Sequence, residues 1–498
     1  MSFFSTRGQT CVTASQAILR GIAPDGGLFV PAMFPQVSHE KIADMANMDY
    51  CQRAVSVLKL FLEDYDIPEI TKAVNAAYGD GKFDNSEIAP VRQLDDNTYV
   101  MELFHGPTLA FKDMALQLLP HLVTLAAKKN NEHREIAILT ATSGDTGKAA
   151  LEGFKDVPGT SCTVFYPMDG VSNVQKLQMT TTGGSNTHVI AVDGNFDDAQ
   201  TGVKKLFASL DFANAMNKKG KVLSSANSIN FGRLVPQIVY YFSAYADLIR
   251  KGVIAVGEQV NFAVPTGNFG DILAAYYARN MGLPIGKMIC ASNRNNVLTD
   301  FFHTGIYSTH RTFVKTTSPS MDILVSSNLE RLLYEAADRD GELVKVWMDQ
   351  LGTCGSYSVG EQRLEWLQSL FAAGCADDRE TAVEIRQRFE KNHYLMDTHT
   401  AVASQVLRQY RRETNDKTLT VIVSTASPYK FAEAVLAAVT SPEETAAMDA
   451  FACSDKLSEM SGIPVPAQVT ALKTLPVLHT ASCGKTELAD AVLKAMGK

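Results

Sequence analysis

From about residue 98 onward, short apolar runs alternate with helix-length segments, and this rhythm predicts an α/β protein built on parallel sheets with helices on both faces. Most of the runs are rich in β-branched or aromatic residues, with Gly, Pro, Asp or Asn nearby, as buried strands are. Three of them lead into a loop of small or hydroxylated residues and then a helix. In parallel sheets such loops gather at the carboxyl ends of the strands, where ligands bind. The chain has 498 residues, more than one ordinary domain, and its 46% hydrophobic and 20% charged residues are average globular usage.

Residues 36–80 read as helical. Val55, Leu58 and Leu62 recur at helical spacing, as do Ile70, Val74 and Ala77, and Ile67-Pro68 separates the two stretches. Residues 80–97 are polar and turn-rich, which puts a boundary near residue 90. Met114, Leu118, Leu122 and Ala126 form one helical stripe, interrupted by Pro120. Strands are expected at 136–139, 162–166, 187–192, 260–264, 287–291 and 419–423, and residues 329–394 and 441–498 are expected to be largely helical. The resulting plan is an N-terminal helical domain at 1–90, a catalytic α/β core at 91–440 with a smaller subdomain at about 135–225, and a C-terminal helical segment at 441–498.

Composition excludes several classes. Net charge is −8 with Lys and Arg scattered, so no basic stripe marks a nucleic-acid partner. The eight cysteines include no C-x-x-C pair, which argues against a zinc or thioredoxin-like site and for reduced thiols. The opening Met1-Ser-Phe-Phe-Ser-Thr-Arg-Gly lacks the basic-then-apolar pattern of a secretory leader, and no apolar run nears the roughly 18 residues that span a bilayer. A cytoplasmic enzyme with a small-molecule substrate, monomeric or homodimeric, without membrane or metal, is the expectation.

Four segments carry candidate chemistry. In Thr142-Ser143-Gly144-Asp145-Thr146-Gly147-Lys148, small and hydroxylated residues open a helix and offer N–H and O–H donors to an anion. It is not a nucleotide P-loop: Thr142 stands where that motif needs Gly, and Ala149 where it needs Ser or Thr. Pro265-Thr266-Gly267-Asn268-Phe269-Gly270-Asp271 follows a strand and precedes a helix, and its glycines allow close approach to a phosphate favoured by the helix dipole. Ser424-Thr425-Ala426-Ser427-Pro428 supplies hydroxyls that can meet a heteroaromatic nitrogen. In His105-Gly106-Pro107-Thr108-Leu109-Ala110-Phe111-Lys112-Asp113, a lysine follows apolar residues, and a desolvated lysine can form a Schiff base with an aldehyde. Taken singly, these segments also read as a helix cap, a tight turn, a polar loop and a surface lysine. Their combination is what a pyridoxal 5'-phosphate site needs.

Together the segments resemble threonine synthase, a fold-type II pyridoxal-phosphate enzyme of the tryptophan synthase β-like class, in its longer bacterial and fungal form. The resemblance spans nearly the whole chain. Ser5-Thr6-Arg7-Gly8 and Gly21-Ile-Ala-Pro-Asp-Gly-Gly-Leu-Phe-Val-Pro31 look like the family's N-terminal signature. The 105–113 and 140–150 segments follow, then 171–179, Asn227-Ser228-Ile229-Asn230 with Arg233 and Gln237, the 267–271 loop, 326–331, and Asp397-Thr-His-Thr-Ala-Val402. Two departures stand out. Ser427-Pro428-Tyr429-Lys430-Phe431 replaces a common His-Pro-Ala-Lys-Phe, and Lys176 stands where an acidic residue is common.

The resemblance implies conversion of O-phospho-L-homoserine and water into L-threonine and phosphate. Lys112 takes the Schiff-base position and acts as general base at the substrate α-carbon. Gly267, Asn268, Phe269, Gly270 and Asp271 cradle the cofactor phosphate, and Thr425 meets the pyridine nitrogen. Thr142, Ser143, Gly144, Asp145 and Thr146 seat the substrate α-carboxylate, and Arg233 clamps the substrate phosphate. Another fold-type II lyase acting on a phosphorylated amino acid is the alternative. A catalytically silent phospho-ligand-binding relative is a further one.

Overall fold

The structure is a computed structural model and describes residues 1–79, 81–142, 144–168 and 171–496. Two parallel sheets organise it. The larger has six strands in the order Phe371–Cys375, Ile285–Ser292, Val260–Pro265, Thr420–Ser424, Thr98–Glu102 and Val91–Asp95. All neighbours are parallel except the last pair, which is antiparallel. The smaller has five parallel strands in the order Ala481–Gly484, Thr187–Asp193, Thr160–Pro167, Glu135–Ala141 and Lys221–Ser224. Each of the six strands expected from the sequence is present: five are extended by one to three residues, and the one expected at 419–423 is shifted by one to Thr420–Ser424.

The register aligns the carboxyl ends of the larger sheet. Pro265 pairs with Ala291, Ser292 with Cys375, and Ser424 with Glu102. The loops after residues 102, 265 and 424 therefore leave from one edge. The helix Phe231–Arg250 is buried from Phe231 to Leu248, and it packs against both the helix Lys112–Leu116 and the helix Gly270–Asn280. It is a fixed post behind both loops.

Proline acts as a start signal for several helices, two of which read as interruptions in the sequence. Pro68 lies in the first turn of Ile67–Tyr78, behind an Asp66–Glu69 capping box. Pro120 lies in the first turn of Leu119–Lys129, so the expected stripe is two helices, Lys112–Leu116 and Leu119–Lys129. A first-turn N–H has no intrahelical partner, so proline loses nothing there.

The segments expected to be helical also contain strands. Ser2–Ser5, Cys11–Thr13 and Phe29–Pro31 form an antiparallel sheet, with the helix Ala14–Arg20 between its last two strands in sequence. Phe371–Cys375 lies within 329–394, where Phe371 directly continues the apolar spacing of the helix Glu361–Leu370 and masks the change of element. Ala481–Gly484 lies within 441–498, and only Cys483 of it is buried. That strand is held by main-chain pairing with residues 190–193, which leaves no side-chain signature. Among the described residues, no helix is long and apolar enough to cross a membrane, and no group of three or more His, Cys, Asp or Glu could hold a metal ion.

Candidate active site

The Lys112 segment is fixed before its helix begins. Ala110 and Ala426 form an antiparallel bridge, Phe111 N donates to Thr425 O at 2.8 Å, and Ser427 N donates to Leu109 O at 3.0 Å. Leu109 takes a left-handed φ of 59°, an uncommon conformation for a branched residue that these bonds hold in place. Asp113 closes the loop by accepting from Thr108 N at 2.8 Å and from Thr108 Oγ1 at 2.7 Å. Burial pushes its carboxyl up to about 6 despite those two bonds. Gly106 is required by this closure, since a Cβ there would lie 2.6 Å from Asp113 Oδ2.

This packing leaves Lys112 only 9% exposed, with Nζ 3.3 Å from Ser320 Oγ and 3.6 Å from Asp145 Oδ2. A second buried lysine shares that carboxylate: Lys430 Nζ lies 3.1 Å from Asp145 Oδ1 and donates to Thr108 O at 2.8 Å. Ser320 Oγ donates to Asp145 Oδ2 at 3.2 Å, and Gln175 Nε2 donates to Oδ1 at 3.3 Å. Ser320 N in turn donates to His399 Nε2 at 3.2 Å, so His399 carries its proton on Nδ1, 2.8 Å from Asp397 Oδ2. Burial lowers the pKa of Lys112, and the nearby Lys430 and Arg233 cations act in the same direction against the pull of Asp145. Asp145 is also penalised by burial, but Lys430 and Lys112 outweigh this and hold its carboxyl far below the usual carboxylate range.

The 265–271 loop has open donors. Asn268, Phe269 and Gly270 donate their N–H groups to nothing among the described residues, and the helix Gly270–Asn280 has no side-chain cap. Its N-cap, Phe269, adopts a left-handed φ of 63°. The carbonyls face the other way: Gly267 O accepts from Ser326 Oγ at 2.7 Å, and Asn268 O accepts from Asn328 N and Nδ2 at 3.1 and 3.0 Å. A Cβ on Gly267 would lie 2.9 Å from Ser320 O, so this loop packs directly on the segment that touches Lys112. Asp271 is turned inward. Its Oδ1 accepts from Tyr240 and Tyr241 hydroxyls at 2.6 and 2.7 Å, Oδ2 has no partner among the described residues, and burial pushes the carboxyl up to about 6.

The 142–147 loop is partly filled from within. Thr142 Oγ1 accepts from Gly144 N at 2.9 Å and from Gly147 N at 3.0 Å, keeping its own O–H to donate. Asp145 opens the helix Asp145–Phe154, with Thr146 half-buried beside it. Ser143 lies outside the described residues. Arg233, 4% exposed on the central helix, donates from Nη1 to Ala226 O at 2.9 Å, while its buried Nε has no partner among the described residues. Burial lowers its pKa to about 10. Asn230 fixes the start of that helix by accepting from Gly232 N at 2.8 Å and donating to Ile18 O at 3.0 Å. Thr425 is buried at the end of its strand, and its carbonyl is the acceptor for Phe111.

Lys112, Asp145 and Thr425 are thus brought together, while the carboxylate of Asp271 is directed into the protein. Lys430, Ser320, Gln175 and the His399–Asp397 pair join them without a role read from the sequence. Asp397-Thr-His-Thr and Ser427-to-Phe431 were visible as motifs, whereas Ser320 sits in the short 3-10 turn Pro319–Met321 with no signal of its own. Unused N–H groups at a helix start, a glycine that a Cβ would displace, and a desolvated lysine fit an aldehyde cofactor that carries a phosphate.

Comparison with known proteins agrees with this chemistry. Residues 2–78 match the model of the threonine synthase N terminus, 87–426 that of pyridoxal-phosphate dependent enzymes, and 400–474 that of the threonine synthase C-terminal region. Threonine synthase-like 1 of Macaca fascicularis is 43% identical over 85% of this chain, which spans 58% of that relative's length. Threonine synthase of Pseudomonas aeruginosa is 42% identical over 87% of this chain and 90% of its own. The crystal structure of pyridoxal-phosphate-bound threonine synthase from Brucella melitensis superposes with a TM-score of 0.88, at 37% identity and 100% coverage of both chains. The chain belongs to the threonine synthase family of pyridoxal-phosphate dependent enzymes.

Proposed function

We propose that the chain converts O-phospho-L-homoserine and water into L-threonine and inorganic phosphate. The observation that carries this reading is a desolvated lysine served by two separate anion-holding devices. One is the open N–H row of Asn268, Phe269 and Gly270, and the other is the buried Arg233, close enough for Lys112 to feel its charge. An enzyme that acts on a phosphorylated amino acid with a phosphorylated cofactor needs both.

Pyridoxal 5'-phosphate, when bound, supplies a conjugated ring that takes up the charge left when protons leave the substrate. The N–H row holds its phosphate, Lys112 Nζ holds its aldehyde carbon, and Thr425 supplies a neutral hydroxyl for its ring nitrogen. Once released, the Lys112 amine takes the proton from the substrate α-carbon, and burial favours the neutral form this requires. The proton on Nζ is then held by Ser320 Oγ and Asp145 Oδ2, 3.3 and 3.6 Å away. Arg233 grips the substrate phosphate as it leaves the γ-carbon, where guanidinium geometry suits phosphate oxygens. Thr142 and its loop receive the substrate carboxylate. A second proton leaves the β-carbon as phosphate departs, the γ-carbon takes up a proton to become a methyl group, and water adds at the β-carbon with return of the α-proton, giving threonine.

The test is a paired assay. The cofactor-loaded chain, given O-phosphohomoserine, releases phosphate and threonine in equal amounts, and phosphoserine and phosphothreonine give far less phosphate. Phosphate release from either of those, without threonine from O-phosphohomoserine, would assign the chain to another lyase reaction. No product from any of the three would mark a silent ligand-binding relative.

A further inference from the structure

Lys430 has no part in the chemistry described so far, yet its ammonium is buried at the centre of the site. It lies in the short turn Pro428–Phe431, with its side chain 1% exposed. A buried charge needs a partner, and Lys430 has Asp145 Oδ1 at 3.1 Å and the Thr108 carbonyl at 2.8 Å. Asp145 therefore divides its oxygens. Oδ1 serves Lys430, and Oδ2 faces Lys112 at 3.6 Å and accepts from Ser320 at 3.2 Å. The three charged groups come from three elements: the start of the lysine helix, the first turn of the helix Asp145–Phe154, and the turn after the strand Thr420–Ser424.

Counting charge in this cluster is decisive. With Lys112 protonated there are two cations for one carboxylate. With Lys112 neutral there is one of each. A desolvated cluster favours the balanced state. Without Lys430, Asp145 and Lys112 would form a simple ion pair, and the same preference would hold Lys112 as an ammonium, unable to accept a proton.

We propose that Lys430 is the positioning residue that occupies Asp145 and so keeps the Lys112 amine neutral and ready to take the substrate α-proton. This rests on the reading of Lys112 given above. In the step concerned, the C–H electron pair stays with the substrate, and the proton bonds to the Nζ lone pair. The ammonium formed is the second cation of the cluster, and Asp145 Oδ2 and Ser320 hold it until it gives the proton back. The other charges around the cluster do not reverse the count. Arg233, on the helix Phe231–Arg250, adds positive charge toward Lys112. Asp113, beside Lys112, is raised by burial only to about 6, so near neutral pH its carboxylate charge offsets the extra cation of Arg233 and leaves the count as it stands. His399, on the helix Thr398–Thr414, accepts at Nε2 from Ser320 N and turns Nδ1 to Asp397 Oδ2, so its carboxylate partner is Asp397 and not Asp145. Lys430 lowers the pKa of Lys112 in the way the count requires.

The test follows the rate at which the cofactor-free chain takes up pyridoxal and pyridoxal 5'-phosphate at Lys112 across pH, read by absorbance and by borohydride trapping with peptide mapping. Only the neutral amine reacts, so the pH midpoint of uptake reports its protonation. Lys430→Met is expected to raise that midpoint by about one pH unit or more, with both aldehydes. Lys430→Arg, which keeps the charge, is expected to restore it, and Asp145→Asn to lower it. Should Lys430→Met fail to fold, the Asp145→Asn and Lys430→Arg midpoints carry the decision. A midpoint that stays in place in Lys430→Met, or in Asp145→Asn, overturns the proposal and leaves Lys430 as a tie to Thr108. Wild-type chain that never takes a label at Lys112 overturns the underlying reading instead.

Discussion

The loops 265–271 and 142–147 look alike in sequence: each follows a strand, is rich in small residues, and opens a helix with an aspartate in its first turn. In three dimensions they are filled differently. The first leaves the N–H groups of Asn268, Phe269 and Gly270 open, and turns Asp271 away to two tyrosine hydroxyls. The second spends its Gly144 and Gly147 N–H groups on Thr142 Oγ1, and points Asp145 at two lysines. An anion site at a helix start is decided by what already fills it, and the helix dipole is common to both. One loop is built to hold a phosphate, and the other keeps the Thr142 O–H for a substrate carboxylate while its Asp145 manages protons at Lys112.

The largest test of this contrast is Gly267→Ala. Its Cβ would press on the Ser320 carbonyl, which is backbone and cannot swing aside, so a titration with pyridoxal 5'-phosphate should show affinity weakened by roughly 100-fold. An affinity within threefold of wild type would remove the cradle role. Arg233→Ala comes next: KM for O-phosphohomoserine should rise by about 10- to 100-fold, while cofactor affinity stays put, because the two phosphates have separate holders. Equal losses in both would merge the two devices into one.

The two aspartates should also titrate apart. Asp271 has a folded-state pKa of about 6, above its unfolded value, so its contribution to stability is fully present at low pH and is lost as pH rises through about 6. Denaturant melts of Asp271→Asn against wild type should therefore shift in favour of the variant by about 1–3 kcal/mol between pH 4 and pH 7. A pH-independent difference would contradict the account of that carboxyl. The smallest effect belongs to Thr142→Val, which removes the internal cap of its loop. It should cost about 1 kcal/mol in thermal stability and leave cofactor affinity nearly unchanged.

Strand positions were legible in the sequence because buried parallel strands are apolar throughout, as in Val260–Pro265 and Thr420–Ser424. Strands held by main-chain pairing were not, and Ala481–Gly484 closes the smaller sheet with only Cys483 buried. The same division runs through the site. Lys112 and the glycines of the cradle were legible only in combination and through the family resemblance, since each alone also reads as a surface lysine or a tight turn. Ser320, 208 residues from Lys112 along the chain, reaches it only because Gly267 lets the two loops close on each other. The contrast between the two loops was equally hidden, since it depends on which way the Thr142, Asp145 and Asp271 side chains turn.

Two lysines compete for one carboxylate in this site, and only one of them is assigned to covalent chemistry. Reducing the cofactor-loaded chain and sequencing its pyridoxyl-bearing peptide measures that assignment directly. The account predicts the mark on Lys112 alone. A mark on Lys430, or on both residues, would contradict it.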